Sequence, residues 1–196
     1  PGVLSLNCRC SHGVARPVVC RWPQGHRADG QSRYVVPKGV KPTNTRLLGL
    51  VLWVLASLAA GWVGSQFMPG EWYASLSKPP WTPPSTVFAP VWTTLYVLMG
   101  IAAWLVWSRA GFSGAAWALG LFVAQLVLNA LWSYLFFGAR RPMLAFFEII
   151  ALLVVIVATM VSFWRVRPLA GALFIPYVCW VGFASALNLQ LWRLNA

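Results

Sequence analysis

The sequence predicts an all-α membrane protein built as a five-transmembrane-helix bundle, and three observations predict it. Hydrophobic residues make up 59% of the chain and charged residues 9%, with a mean hydropathy of +0.68, whereas a soluble domain carries about 25% charged residues. From Leu47 onward, apolar runs of about 20 residues recur, each able to cross a hydrocarbon core of about 30 Å as a helix. Clusters of Pro, Gly and Arg separate these runs, as expected where helices end. A transmembrane β-barrel would instead show short alternating strands.

The elements follow in order. Residues 1–45 are rich in Arg, Pro, Gly and Cys and lack apolar periodicity. They are expected to form a disordered basic tail, or to be upstream sequence carried in by a misplaced start. The transmembrane domain occupies 46–196. Its first span is expected at 47–67, closed by Met68-Pro69-Gly70. A lid loop, 68–87, precedes the second span at 88–108, which Arg109 and Gly111 close. The third span, 115–137, ends at Gly138 and Arg140-Arg141-Pro142; the fourth, 143–164, ends at Arg165-Val166-Arg167-Pro168. The fifth is 169–191. Pro90 is placed in the first turn of its span, where a missing N–H costs little. Pro176 lies deeper, so a kink or wide turn is expected there.

The formal net charge is +12 in 196 residues, but eight of the fifteen Lys and Arg lie within the first 46 residues. No basic face remains on the membrane part, which argues against nucleic acid as a partner. The tail charges favour a cytoplasmic N-terminus, and a bacterial membrane is expected. Cys8, Cys10, His12, Cys20 and His26 match no common zinc spacing, so no metal is expected. Both histidines lie in the tail, so the bundle offers no imidazole to haem iron. Glu71 and Glu148 are the only acids outside the tail, which gives acid–base catalysis little to work with.

Thirteen tryptophans are present. Trp53, Trp62, Trp104, Trp107, Trp117 and Trp164 fit the ordinary role of an indole at the membrane interface. Trp92, Trp132 and Trp180 fall on helical stripes that also carry polar groups. One stripe in the second span holds Trp92, Leu95, Tyr96 and Met99. Another in the third holds Gln125, Asn129, Trp132, Ser133 and Phe136, and Trp180, Ala184, Asn188 and Trp192 recur in the fifth. An unsatisfied amide in hydrocarbon costs several kcal/mol, so Gln125, Asn129 and Asn188 should face inward, and the indoles with them. The stripes then wall an aromatic cavity or merely bridge helices; periodicity leaves both readings open. The segment 76–92, "LSKPPWTPPSTVFAPVW", is stiffened by four prolines before Pro90. It can fold Trp72, Tyr73 and Trp81 over one end of the bundle.

The stretches "EWYASLSKPPWTPPSTVFAPVWTTLYVLMG", "QLVLNALWSYLFFGARR" and "IPYVCWVGFASALNLQLWRLN" resemble the translocator protein family, also called tryptophan-rich sensory proteins or peripheral benzodiazepine receptors. The likeness covers 47–195. It implies a five-helix bundle, usually a homodimer, that binds porphyrins such as protoporphyrin IX and needs no cofactor. Some members are implicated in tetrapyrrole regulation, and a light-dependent breakdown of porphyrin has been proposed, with two cavity tryptophans that match Trp92 and Trp180. Family ligand contacts match Tyr73, Asn129, Trp132, Ser133 and Ala184; Trp81, Tyr96, Phe136 and Asn188 join them from the stripes and the lid. The implied function is a receptor or sensor for a flat apolar ligand, with a porphyrin-degrading enzyme and a small transporter as alternatives. The sterol motif of animal members needs a tyrosine where this chain has Leu189 ahead of Arg193, which speaks against tight cholesterol binding.

Two features stand apart from the cavity. Glu148 lies seven residues after Arg141 on nearly the same helical face, so a local pairing or a neutral acid is expected, with a transport role as the alternative. Ala116, Gly120 and Ala124 form a small-residue ridge opposite Asn129 and Trp132, suited to a dimer interface. Ala56, Ala60 and Gly64 form a similar ridge on the first span, so internal packing competes with that use.

Overall fold

The computed structural model describes residues 43–67 and 70–196. Residues 1–42, with the expected tail and its cysteines and histidines, lie outside the described residues, as do Met68 and Pro69 of the lid loop. Helix α1 spans Thr43–Ser65, α2 Glu71–Ser75, α3 Ser85–Gly114 and α4 Ala116–Ser133. A π-helical turn, Tyr134–Gly138, extends α4; then come α5 (Pro142–Val166), α6 (Pro168–Ala172) and α7 (Ile175–Leu194). Among the described residues, five stretches are long and apolar enough to cross a membrane, the last combining α6 and α7.

Boundaries differ from expectation in four places. Helix α1 begins at Thr43, so the end of the expected tail is already helical. Helix α3 begins at Ser85 and takes three residues from the expected lid, which puts Pro90 in the second turn rather than the first. Helix α3 runs on to Gly114 past a break at Gly111, whose φ of 69° suits a residue without Cβ. The expected disturbance at Pro176 is a full break: α6 ends, Leu173 and Phe174 turn, and Pro176 occupies the first turn of α7. A proline there gives up no helical hydrogen bond.

The end of the bundle away from the lid is solid. Met99, Ala102, Ala103 and Val106 of α3 meet Phe122 of α4, Ile156 and Phe163 of α5, and Phe174, all fully buried. Phe122 stacks on Phe163 at 5.9 Å, and Phe174 meets Phe163 edge-on at 5.3 Å. Small residues allow this density. A Cβ on Gly100 would sit 2.6 Å from the Val54 backbone, so α1 and α3 touch there only because the side chain is missing.

The lid end is built differently. The π-turn closes with Ala139 N–H donating to the Tyr134 carbonyl at 2.7 Å, a single wide turn of the kind found at functional sites. It turns Phe136 inward, where it forms a second buried cluster with Ala145, Leu187 and Leu191. Arg140, at φ 56°, then reverses the chain into α5.

Candidate ligand-binding cavity

Between the lid and the solid end lies a cavity of about 730 Å³, within the range of small-molecule sites. Helix α3 contributes Trp92, Thr93 and Tyr96, α4 gives Asn129, Trp132 and Ser133, and α7 gives Trp180 and Ala184. Tyr73, Lys78, Thr82 and Pro83 close it from the lid side. Trp92 stacks on Tyr96 at 5.7 Å and meets the Tyr177 ring edge-on at 6.2 Å. Trp132 stacks on Phe136 at 5.3 Å, and Trp180 meets Phe88 edge-on at 5.8 Å.

A polar chain fixes the wall. The Tyr96 hydroxyl donates to Asn129 Oδ1. Asn129 Nδ2 donates to the Tyr177 hydroxyl at 3.0 Å, and that hydroxyl donates to Gln125 Oε1 at 3.0 Å. Gln125 Nε2 ends the chain on Met99 Sδ at 3.6 Å. Each amide in the apolar interior is thereby satisfied, as burial demands. A second chain orients Trp132, whose Nε1–H donates to Asn188 Oδ1 at 3.0 Å while Asn188 Nδ2 donates to the Pro142 carbonyl at 2.8 Å. Trp180 has no such tether: its buried Nε1–H has no hydrogen-bond partner among the described residues.

The lid is held at several points. Trp72 and Tyr73 meet Phe136 edge-on at 5.9 and 6.2 Å. Lys78 Nζ sits 4.8 Å over the Tyr73 ring and donates to the Ala74 carbonyl. Burial pushes the Tyr73 phenol above its ordinary value. Asn195 clamps the loop from the end of α7: Ser77 N–H donates to its Oδ1 at 2.9 Å, and its Nδ2 donates to the Ser77 carbonyl at 3.0 Å. Thr82 N–H and Oγ1 both donate to the Pro79 carbonyl and close the proline-rich turn.

Of the residues expected at the site, Tyr73, Trp92, Tyr96, Asn129, Trp132, Ser133, Trp180 and Ala184 line one cavity. Three do not. Asn188 is buried behind Trp132 as its strut, because its amide is spent on the indole and the Pro142 carbonyl. Phe136 lies beneath the lid as the platform for Trp72 and Tyr73. Trp81 packs on Phe183 at 5.7 Å outside the cavity and is about half exposed. Of the two states expected for Glu148, pairing with Arg141 or a neutral acid, the pairing does not form: both carboxylate oxygens are buried without a hydrogen-bond partner among the described residues. Glu148 is also not among the residues that line the cavity.

Two contributions escaped the sequence reading. Helix α1 forms a wall through Leu58, Gly61, Trp62 and Gly64. A Cβ on Gly61 would lie 2.3 Å from the Tyr96 ring, and one on Gly64 would lie 3.1 Å from Ser133 Oγ, so these glycines admit the groups opposite. Part of the small-residue ridge on the first span therefore packs internally. Tyr177 is the hub of the polar chain. It stands one turn before Trp180 on the stripe that runs through Ala184 and Asn188, so extending that stripe would have found it.

Sequence comparison agrees with this architecture. The profile of the TspO/MBR family matches residues 52–193. The chain is 44% identical over 140 residues to the translocator protein of Ovis aries, covering 69% of this chain and 83% of that one. It is 42% identical over 146 residues to protein CrtK of Rhodobacter capsulatus, covering 74% and 91%. To the tryptophan-rich sensory protein of Cereibacter sphaeroides it is 41% identical over 132 residues, covering 67% and 82%. With five membrane-spanning stretches around a tryptophan-walled cavity, the chain is a multi-pass integral membrane protein and belongs to the TspO/MBR family.

Proposed function

We propose that this protein is a membrane receptor or sensor that binds a porphyrin, or a similar flat apolar ligand, in the cavity beneath the lid, and so serves tetrapyrrole regulation or transport. One observation carries the reading: Trp92, Trp132 and Trp180, from three different helices, converge on a single cavity with few polar groups. Indole faces suit a flat conjugated ring. Among the described residues lining the cavity Lys78 is the only charged one, and it sits at the lid. A cation there favours a ligand that carries carboxylates at its edge, as protoporphyrin IX does.

Titrating the detergent-solubilised protein with protoporphyrin IX should quench tryptophan fluorescence to saturation. Replacing both Trp92 and Trp180 by Phe should weaken binding about tenfold, which corresponds to about 1.4 kcal/mol. Saturable binding of unchanged affinity in the double variant would remove the site assignment.

A second reading, light- and oxygen-dependent breakdown of the bound porphyrin, draws on two oxidisable indoles, Trp92 and Trp180, lining the same cavity. Illumination in air should then give a discrete product that the double variant does not form; bleaching at the rate of free porphyrin rejects this reading. The transport reading gains nothing from Glu148, which does not border the cavity.

The proposal includes a homodimer. Ala116, Gly120 and Ala124 are all exposed, and a Cβ on Gly120 would meet nothing within 4 Å. A Gly120→Leu variant that remained dimeric in detergent would remove this ridge from the interface.

A further inference from the structure

The outer surface of the bundle carries a second hollow, a groove of about 480 Å³ between α3 and α7. Val91, Thr94 and Leu98 form one side; Cys179, Trp180 and Phe183 form the other. These α3 residues lie roughly 8 to 20 Å along the helix from its lid end, at a rise of about 1.5 Å per residue, inside a stretch long and apolar enough to cross a membrane. On that side the Thr94 Oγ1 proton is spent on the Pro90 carbonyl, which leaves the hydroxyl only as an acceptor. Bilayer hydrocarbon, and whatever is dissolved in it, has direct access to this face.

The groove and the ligand cavity share one residue, Trp180. Elsewhere along the seam, neighbours on one helix divide between the two hollows: Val91 faces the groove and Trp92 the cavity, Phe183 the groove and Ala184 the cavity. The backbones of α3 and α7 approach each other little, so side chains fill the gap. Trp180 packs against the buried core and makes ring contacts to Phe88 at 5.8 Å and to Phe183 at 5.7 Å. Its N–H has no hydrogen-bond partner among the described residues, whereas Trp132 is tied to Asn188. The lid is clamped by the hydrogen bonds between Asn195 and Ser77, whereas the Trp180 side chain has no such clamp among the described residues.

We propose that the groove is a second apolar binding site, a vestibule where a flat apolar ligand dissolved in the bilayer docks before passing Trp180 into the cavity. The identity of the ligand rests on the porphyrin reading of the cavity; the groove itself does not. Its occupant is a bilayer solute because the groove faces lipid, is lined by apolar side chains and adjoins the cavity through a single untethered ring.

The test uses the full chain in phospholipid nanodiscs, with Cys8, Cys10 and Cys20 replaced by serine. Cys179, which is exposed and lines the groove but not the cavity, is capped with benzyl methanethiosulfonate to fill the groove. Association and dissociation rates of protoporphyrin IX should both fall at least fivefold with the equilibrium affinity unchanged, and dithiothreitol should restore them. Unchanged rates with the cap in place would overturn the proposal, as would a loss of affinity at an unchanged association rate. Should the uncapped protein bind no porphyrin, the reading of the cavity fails and a second measurement decides the groove. Phospholipid brominated at mid-chain should quench a fluorescence component that is missing in Trp180→Phe, and the cap should abolish that quenching. Quenching that persists under the cap would overturn the vestibule.

Discussion

The same helices are packed solid at one end and parted at the other, and the contrast lies in what their side chains do. At the end away from the lid, Phe122, Phe163 and Phe174 interlock against alanines of α3, and the buried Thr159 hydroxyl is spent on its own helix, donating to the Val155 carbonyl. At the lid end, the large rings are held back from the axis. Asn188 holds Trp132, the Asn129–Tyr177–Gln125 chain fixes Tyr96, and Phe136 is occupied by the lid. Small residues complete the hollow: Gly61, Gly64 and Ala184 stand where larger side chains would fill it. A cavity in a bundle of large aromatics thus depends on tethers that keep those aromatics from collapsing inward. The polar chain sits at the boundary between the two ends and belongs to both.

The contrast predicts that stability and ligand binding separate along the bundle axis. The largest effect on stability is expected from Phe122→Ala, which removes a ring from the solid end and should cost about 3–5 kcal/mol. Unfolding in detergent should report the loss while porphyrin affinity stays within about twofold, a shift of under roughly 0.5 kcal/mol. Asn129→Leu at the boundary should affect both. It strands the hydroxyl of Tyr96 in an apolar interior and leaves that of Tyr177 with Gln125 alone, costing about 2 kcal/mol of stability, and it frees the Tyr96 ring to enter the cavity and weaken binding. The smallest effect is expected from Asn195→Ala. Releasing the lid clamp should raise amide hydrogen exchange at residues 76–82 about fivefold, or about 1 kcal/mol of local opening, and leave global unfolding unchanged. A global loss comparable to that of Phe122→Ala would mean that the lid is part of the core rather than a cover.

Much of this was legible in the sequence, for identifiable reasons. Five spans follow from apolar runs and their Pro, Gly and Arg ends, and α3, α4 and α7 announce their inner faces by regular spacing. Tyr96, Asn129, Trp132, Trp180 and Ala184 were found that way. Periodicity fails where the backbone departs from it. The π-turn adds a residue to the turn after Ser133, so the stripe could not tell whether Phe136 met the cavity or the lid. Tyr177 sits beside Pro176, where the helix was expected to be disturbed and the stripe was not continued. Asn188 shows another limit: spacing assigns an amide to a face but not to the acceptor it finds there. The glycines of α1 read equally well as packing or as wall, and here they are both. The lid has no period at all, so Trp81 could be placed over the bundle but not against Phe183.

The most direct test of the account is to fill the hollow without disturbing its tethers. Ala184 lines the cavity on α7 and takes part in neither polar chain. An Ala184→Trp variant should keep its helical circular dichroism and its oligomeric state in detergent while losing saturable protoporphyrin IX quenching by at least tenfold in affinity. A folded variant that still bound with the affinity of the unaltered protein would contradict the claim that the ligand occupies the space between Trp92, Trp132 and Trp180.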